Sequence, residues 1–143
     1  MTAREEKARN IFAKDYNCAQ AVLGAFCEES DTDFALKLAS GFGGGIRCGE
    51  VCGAVTGAVM AIGLKCGFYV EGDLEQKKYC NKKAFEFIEK FKAKNNSILC
   101  RDLLGIAVYS PDDLSRPELQ QVCDIKCPEI VAAAVNVLEG MEF

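Results

Sequence analysis

Val51-Cys52-Gly53-Ala54-Val55-Thr56-Gly57-Ala58-Val59-Met60-Ala61-Ile62-Gly63-Leu64 is the most apolar run of the chain, and its reading decides the fold. Glu50 and Lys65 bracket it, and it is shorter than the roughly 18 apolar residues that a membrane-spanning helix needs. Period-two alternation is absent, so the run reads as a buried helix and not as a strand. Gly53, Gly57 and Gly63 inside it each cost about 1 kcal/mol relative to alanine. Close approach of a neighbouring helix offsets that cost. The expected architecture is an all-α single-domain bundle of about five or six helices with this Gly/Ala-rich helix at its centre.

Working outward, Ala8, Ile11, Phe12, Ala19, Val22, Leu23 and Phe26 recur at three- and four-residue steps, which marks an amphipathic helical region over about 4–28. Asn17 followed by Gln20 resembles a capping box, so a fresh helix is expected from Cys18. Asp31, Thr32 and Asp33 suit the start of a helix running to Ser40. Cys80, Ala84, Phe87, Ile88 and Phe91 share one face of a helix over about 73–94, with lysines and glutamates on the other as an ordinary solvated face. Ser97 is expected to cap a short segment, Ile98 to Leu104, closed by Gly105. Ser110-Pro111-Asp112-Asp113 reads as a turn, and Pro128 as the opening of a last helix to Glu139, stopped by Gly140.

The chain has 143 residues, half of them apolar, which suits one hydrophobic core over 1–143. A net charge of −4 argues against a nucleic-acid partner, because such partners select for concentrated positive charge. The charged opening Met1-Thr2-Ala3-Arg4-Glu5-Glu6-Lys7 leads into helical pattern without an apolar secretory stretch, so a cytoplasmic protein with no membrane association is expected.

Nine cysteines are many for a reducing compartment, where ordinary disulfides stay open; thiols, metal ligands or a redox couple are the readings to weigh. There is no histidine, which removes the commonest acid/base catalyst, every mixed Cys/His zinc site and the Cys-x-x-Cys-His attachment of c-type haem. Cys27 and Cys66 lie at or near expected helix C-termini and Cys80 follows an apolar stripe, so these three are assigned to packing. Cys18, Cys52, Cys100 and Cys127 are all placed at helix starts, where unpaired N–H groups and partial positive charge lower a thiol's pKa. Tens of residues separate them, so only the fold can bring them together. Cys48 and Cys123 stand four residues before Cys52 and Cys127, and the two Cys-x-x-x-Cys pairs offer an alternative four-thiolate set.

Gly41-Phe42-Gly43-Gly44-Gly45 lacks the spacing of a phosphate-binding loop and follows a helix, not a strand; Gly43, Gly44 and Gly53 are taken instead as backbone that lets a ligand or helix come close to the cysteines. Arg47 and Arg101 lie beside candidate site residues, where they suit thiolate stabilisation or, more ordinarily, pairing with Glu50 or Asp102.

Asn17-Cys18-Ala19-Gln20, Gly41 to Gly45, Cys52-Gly53-Ala54-Val55-Thr56-Gly57, Cys100-Arg101-Asp102-Leu103-Leu104-Gly105 and Cys127 before an apolar helix together resemble the redox-active family named for its C_GCAxxG_C_C motif. The resemblance runs from about Ala8 to Leu138. It implies a small bacterial or archaeal protein with four characteristic cysteines, matched here by Cys18, Cys52, Cys100 and Cys127, while Cys48 and Cys123 depart from the family core as alternates. Some relatives carry c-type haem, and an iron–sulfur centre has been suggested there. The expected function is electron transfer or thiol–disulfide chemistry, with an iron–sulfur cluster as candidate cofactor and a redox protein or small thiol or electron carrier as partner. The competing reading is a non-catalytic binding module with a structural Cys₄ zinc site. The small-residue face of the glycine helix also suits a homodimer.

Overall fold

The computed structural model describes residues 1–108 and 110–143, and among these it contains seven α-helices and no strand, only one isolated antiparallel bridge between Val51 and Leu99. The helices are α1 (Ala3–Phe12), α2 (Cys18–Phe26), α3 (Thr32–Leu38), α4 (Gly53–Cys66), α5 (Leu74–Asn95), α6 (Cys100–Leu104) and α7 (Pro117–Glu139), with 3-10 turns at Glu29–Asp31 and Pro111–Ser115. The all-helical class agrees with the sequence reading. The number of helices is higher than the expected five or six; the expected break at Asn17 is present, preceded by Asp15 in left-handed backbone (φ 69°), and separates α1 from α2.

Side-chain caps fix several starts. Thr2 accepts from the Glu5 N–H, and Asp73 accepts from the Gln76 N–H. Asn17 and Gln20 form a reciprocal capping box, each side chain accepting the other's backbone N–H at 2.8 Å. Asn17 also donates to the carbonyls of Ala39 and Ser40, which ties the start of α2 to the end of α3.

The last helix corrects a second expectation. Pro128 does not open it; Pro117 does, and Pro128 lies in its interior. An interior proline removes one N–H to the carbonyl four residues back, here Asp124, which lies on the exposed side of α7 where water can serve instead. Cys127 is therefore a mid-helix residue and not a helix-start one.

Helix α4 packs against α2, α5 and α7. Its Ala54, Val55, Ala58, Ala61 and Ile62 are fully buried together with Val22, Phe87, Phe91, Val131 and Val135. Gly57 is needed for the α2 contact: a Cβ there would stand 2.6 Å from the Ala19 carbonyl oxygen. A smaller cluster of Cys100, Leu104, Val108, Leu119 and Cys127 forms a second apolar region between α6 and α7, with Phe12 and Cys18 packed against it. No helix among the described residues is long and apolar enough to cross a membrane.

Candidate functional site, a pocket lined by five cysteines

Three backbone devices assemble the site. Gly53 lets α2 and α4 meet at their first turns: a Cβ on it would lie 3.0 Å from the Ala19 nitrogen, 3.1 Å from the Phe42 oxygen and 3.2 Å from the Cys18 Cβ. Cys18 and Cys52 are thereby neighbours across a helix contact. The Val51–Leu99 bridge joins the starts of α4 and α6, the Cys52 N–H donating to Ile98 at 2.8 Å and the Cys100 N–H to Glu50 at 2.7 Å. Helix α7 crosses the opening and presents Cys123 and Cys127, which a four-residue spacing puts on one helix face.

The third device is a left-handed turn. Gly44, Gly45, Ile46 and Arg47 all have positive φ, from 56° to 64°. Glycine adopts this backbone freely, whereas Ile46 and Arg47 are strained by roughly 1 kcal/mol or more each. Gly45 has no alternative residue: a Cβ would meet Cys100 Cβ and the Glu50 backbone at 2.7 Å. The turn is held from below by Arg101, which pairs with Glu50 at 2.8 Å and donates to the Gly49 carbonyl at 3.1 Å.

The result is a pocket of about 290 Å³ lined by Cys18, Cys52, Cys100, Cys123 and Cys127, with Gly43, Gly44, Gly45 and Gly53 as its backbone wall. Phe12, Leu114, Leu119 and Ile130 supply apolar surface, and Arg47 and Asp15 stand at it as the charged residues. All four helix-start candidates and the alternate Cys123 are thus in one place. Cys48 is not: it is exposed, does not line the pocket, and its thiol donates to the Gly45 carbonyl at 3.5 Å. The alternative set made of both Cys-x-x-x-Cys pairs is therefore not assembled. Leu114 and Leu119 carry no sequence signal of a site, since they reach the pocket from a turn and a helix start far along the chain.

Electrostatics reverse the expectation of low thiol pKa values at helix starts. Burial pushes Cys52 up to about 11, although the N–H groups of Ala54 and Val55 pull the other way. Burial, aided by the neighbouring Cys123, likewise pushes Cys100 up to about 11. The Cys123 thiol is held protonated by its hydrogen bond to Cys127 and by burial. At Cys127 the bond from Cys123 favours the thiolate, but the bond to Cys18, burial and the nearby sulfurs prevail, and the net direction is up. The physical reason is competition: desolvation raises Cys52, Cys100, Cys123 and Cys127 alike, neighbouring sulfurs add to it, and the N–H groups at a helix start offset only part of it.

Cys127 has Cys123 and Cys18 as its interacting sulfur neighbours, and both pack against the apolar cluster that contains it. All nine cysteines are free thiols. As a donor set, five thiols without imidazole suit a soft metal or an iron–sulfur cluster. Among the described residues, no three or more cysteine, aspartate or glutamate side chains are grouped as they stand so as to hold a metal ion.

An all-helical fold with cysteines gathered at the starts of three helices and on the face of a fourth defines a thiol-pocket protein. Residues 16–141 match the family described as "Putative redox-active protein (C_GCAxxG_C_C)", and the chain belongs to that family. No curated protein and no solved structure matches it.

Proposed function

We propose that this protein carries out thiol–disulfide exchange, with Cys18 and Cys127 as the dithiol couple. The observation that supports the reading best is that Cys18 on α2 and Cys127 on α7 line the same pocket, with Cys18 packed against the apolar cluster that contains Cys127 and with Cys123 beside them. Cys18 is half-buried and Cys127 buried, so Cys18 meets an incoming disulfide first. Its thiolate attacks one sulfur of that disulfide and expels the other as a thiol, leaving a mixed disulfide. Cys127 then attacks the Cys18 sulfur, closes the intramolecular bond and releases the second thiol. Two protons and two electrons leave the protein, and the incoming disulfide takes them up. Cys123, one turn before Cys127 on the same face of α7, is placed to donate a hydrogen bond to Cys127 as it becomes the attacking thiolate.

The partner fitting this pocket is a small thiol carrier or a protein disulfide able to insert a loop. An iron–sulfur or zinc centre would draw on the same thiols and would require them to move toward a common point. Reduced protein treated with one equivalent of glutathione disulfide, then alkylated and digested, is expected to yield a Cys18–Cys127 linked peptide. Cys127→Ser should stop the reaction at the mixed disulfide on Cys18. A brown protein purified without oxygen, with stoichiometric iron and acid-labile sulfide and no dithiol couple, would overturn the reading.

A further inference from the structure

At the far end of α4, about 20 Å along the helix axis from Cys52 by the helical rise, lies a second pair of cysteines that the pocket does not use. Cys66 is the last residue of α4, buried, and Cys80 is half-buried on α5. Two independent contacts bring them together. Gln76 on α5 donates to the Cys66 carbonyl oxygen at 2.7 Å, and Cys80 follows Gln76 by four residues on the same helix face. The Cys66 thiol donates to the Ile62 carbonyl oxygen at 3.4 Å, and Cys80 packs against the core cluster that contains Cys66 and Ile62, near enough to act on the Cys66 sulfur.

Two cations frame the pair. Lys65 and Lys83 both act on Cys66, and the ammonium groups of both lie over the ring of Phe143, at 5.1 and 5.5 Å from its centroid. Lys83 is additionally held by Glu86 and by the Glu142 carbonyl. Burial prevails at Cys66 and pushes its thiol pKa up, and the two cations offset part of that rise.

We propose that Cys66 and Cys80 are a second dithiol, separate from the pocket, that closes to a disulfide between α4 and α5 when a glutathione-type disulfide is the oxidant. Cys80, the more accessible thiol, attacks the oxidant disulfide and expels one thiol. Cys66 then attacks the Cys80 sulfur and expels the second. One S–S bond forms and one breaks, and the two electrons and two protons pass to the oxidant. The new bond sits at the base of the connection that carries the exposed side chains of Phe68, Tyr69 and Val70, and it fixes that connection to both helices.

Full-length protein equilibrated in glutathione buffers of increasing oxidising potential, then alkylated, digested and read by mass spectrometry, tests this. The expected product is a peptide pair joined through Cys66 and Cys80, lost in Cys80→Ser while any Cys18–Cys127 link persists. The rise in Tm on oxidation should be smaller in Cys80→Ser than in the parent by roughly 10 °C, as closure of a loop of about 15 residues implies. Full alkylation of both cysteines at every potential, or linkage of Cys66 only to other residues, would overturn the proposal. Because each link is read separately, loss of the Cys18–Cys127 peptide counts against the pocket couple alone, and loss of the Cys66–Cys80 peptide against this pair alone.

Discussion

At single positions, the decisive residues are those that have no side chain. Adding one methyl at Gly57 puts it 2.6 Å from a backbone oxygen and 2.9 Å from the Cα of Ala19, neither of which can rotate away. Gly57→Ala gains about 1 kcal/mol of helix propensity but incurs overpacking of about 1–3 kcal/mol, so a net loss of about 1 kcal/mol is expected in urea unfolding. Cys52 gives a second expectation. Its folded pKa of about 11 lies above the ordinary thiol value of 9.0, so its contribution to stability is complete below about pH 9 and is lost as pH rises toward 11. About 2–3 kcal/mol should disappear over that window, and Cys52→Ser should flatten the alkaline limb of the stability profile. The places of Cys18, Cys52 and Cys100 beside helix starts were legible in the sequence; their meeting in one pocket depends on the fold. Their thiol chemistry was not legible, because burial is a property of the fold and overrides a local helix charge. Arg47 shows the same limit, since no local pattern announces that it follows two glycines into a left-handed turn.

Among the elements, short-range signals read well wherever a side chain closes its own hydrogen bond. The Asn17–Gln20 capping box and the Asp73 cap are both local, and both were readable as helix starts. Asn17→Ala should cost about 1 kcal/mol from the lost cap alone. The loss should exceed that of an ordinary cap, because Asn17 also donates to Ala39 and Ser40; double-mutant comparison with Gln20→Ala by denaturant unfolding separates the two parts. Helix α7 was misread for a reason of the same kind. A proline is a local stop signal, but in α7 the apolar face formed by Leu119, Cys127, Val131, Val135 and Leu138 is continuous on both sides of Pro128, and tertiary burial carries the helix through it. That continuity is what sets Cys123 and Cys127 side by side.

For the whole molecule, periodicity and apolar runs were sufficient to read an all-helical fold around the Gly/Ala-rich helix, because α4 is bounded by charge and packed by three other helices. The pairing of α4 with α6 through a two-residue bridge was beyond such reading: it depends on how segments distant along the chain meet. The same bridge explains why the pocket contains residues from so many parts of the chain. None of its five sulfurs has its partners nearby in sequence, except Cys123 and Cys127.

That arrangement bears on how the protein must be made. While the polypeptide is still unfolded, the thiols most often in collision are near neighbours such as Cys48 with Cys52, and a bond between them ties a thiol that the fold buries in the pocket to one that it leaves exposed outside. Renaturation under air would therefore trap such mispaired chains, whereas renaturation with excess reductant lets the helices dock before any sulfur is committed.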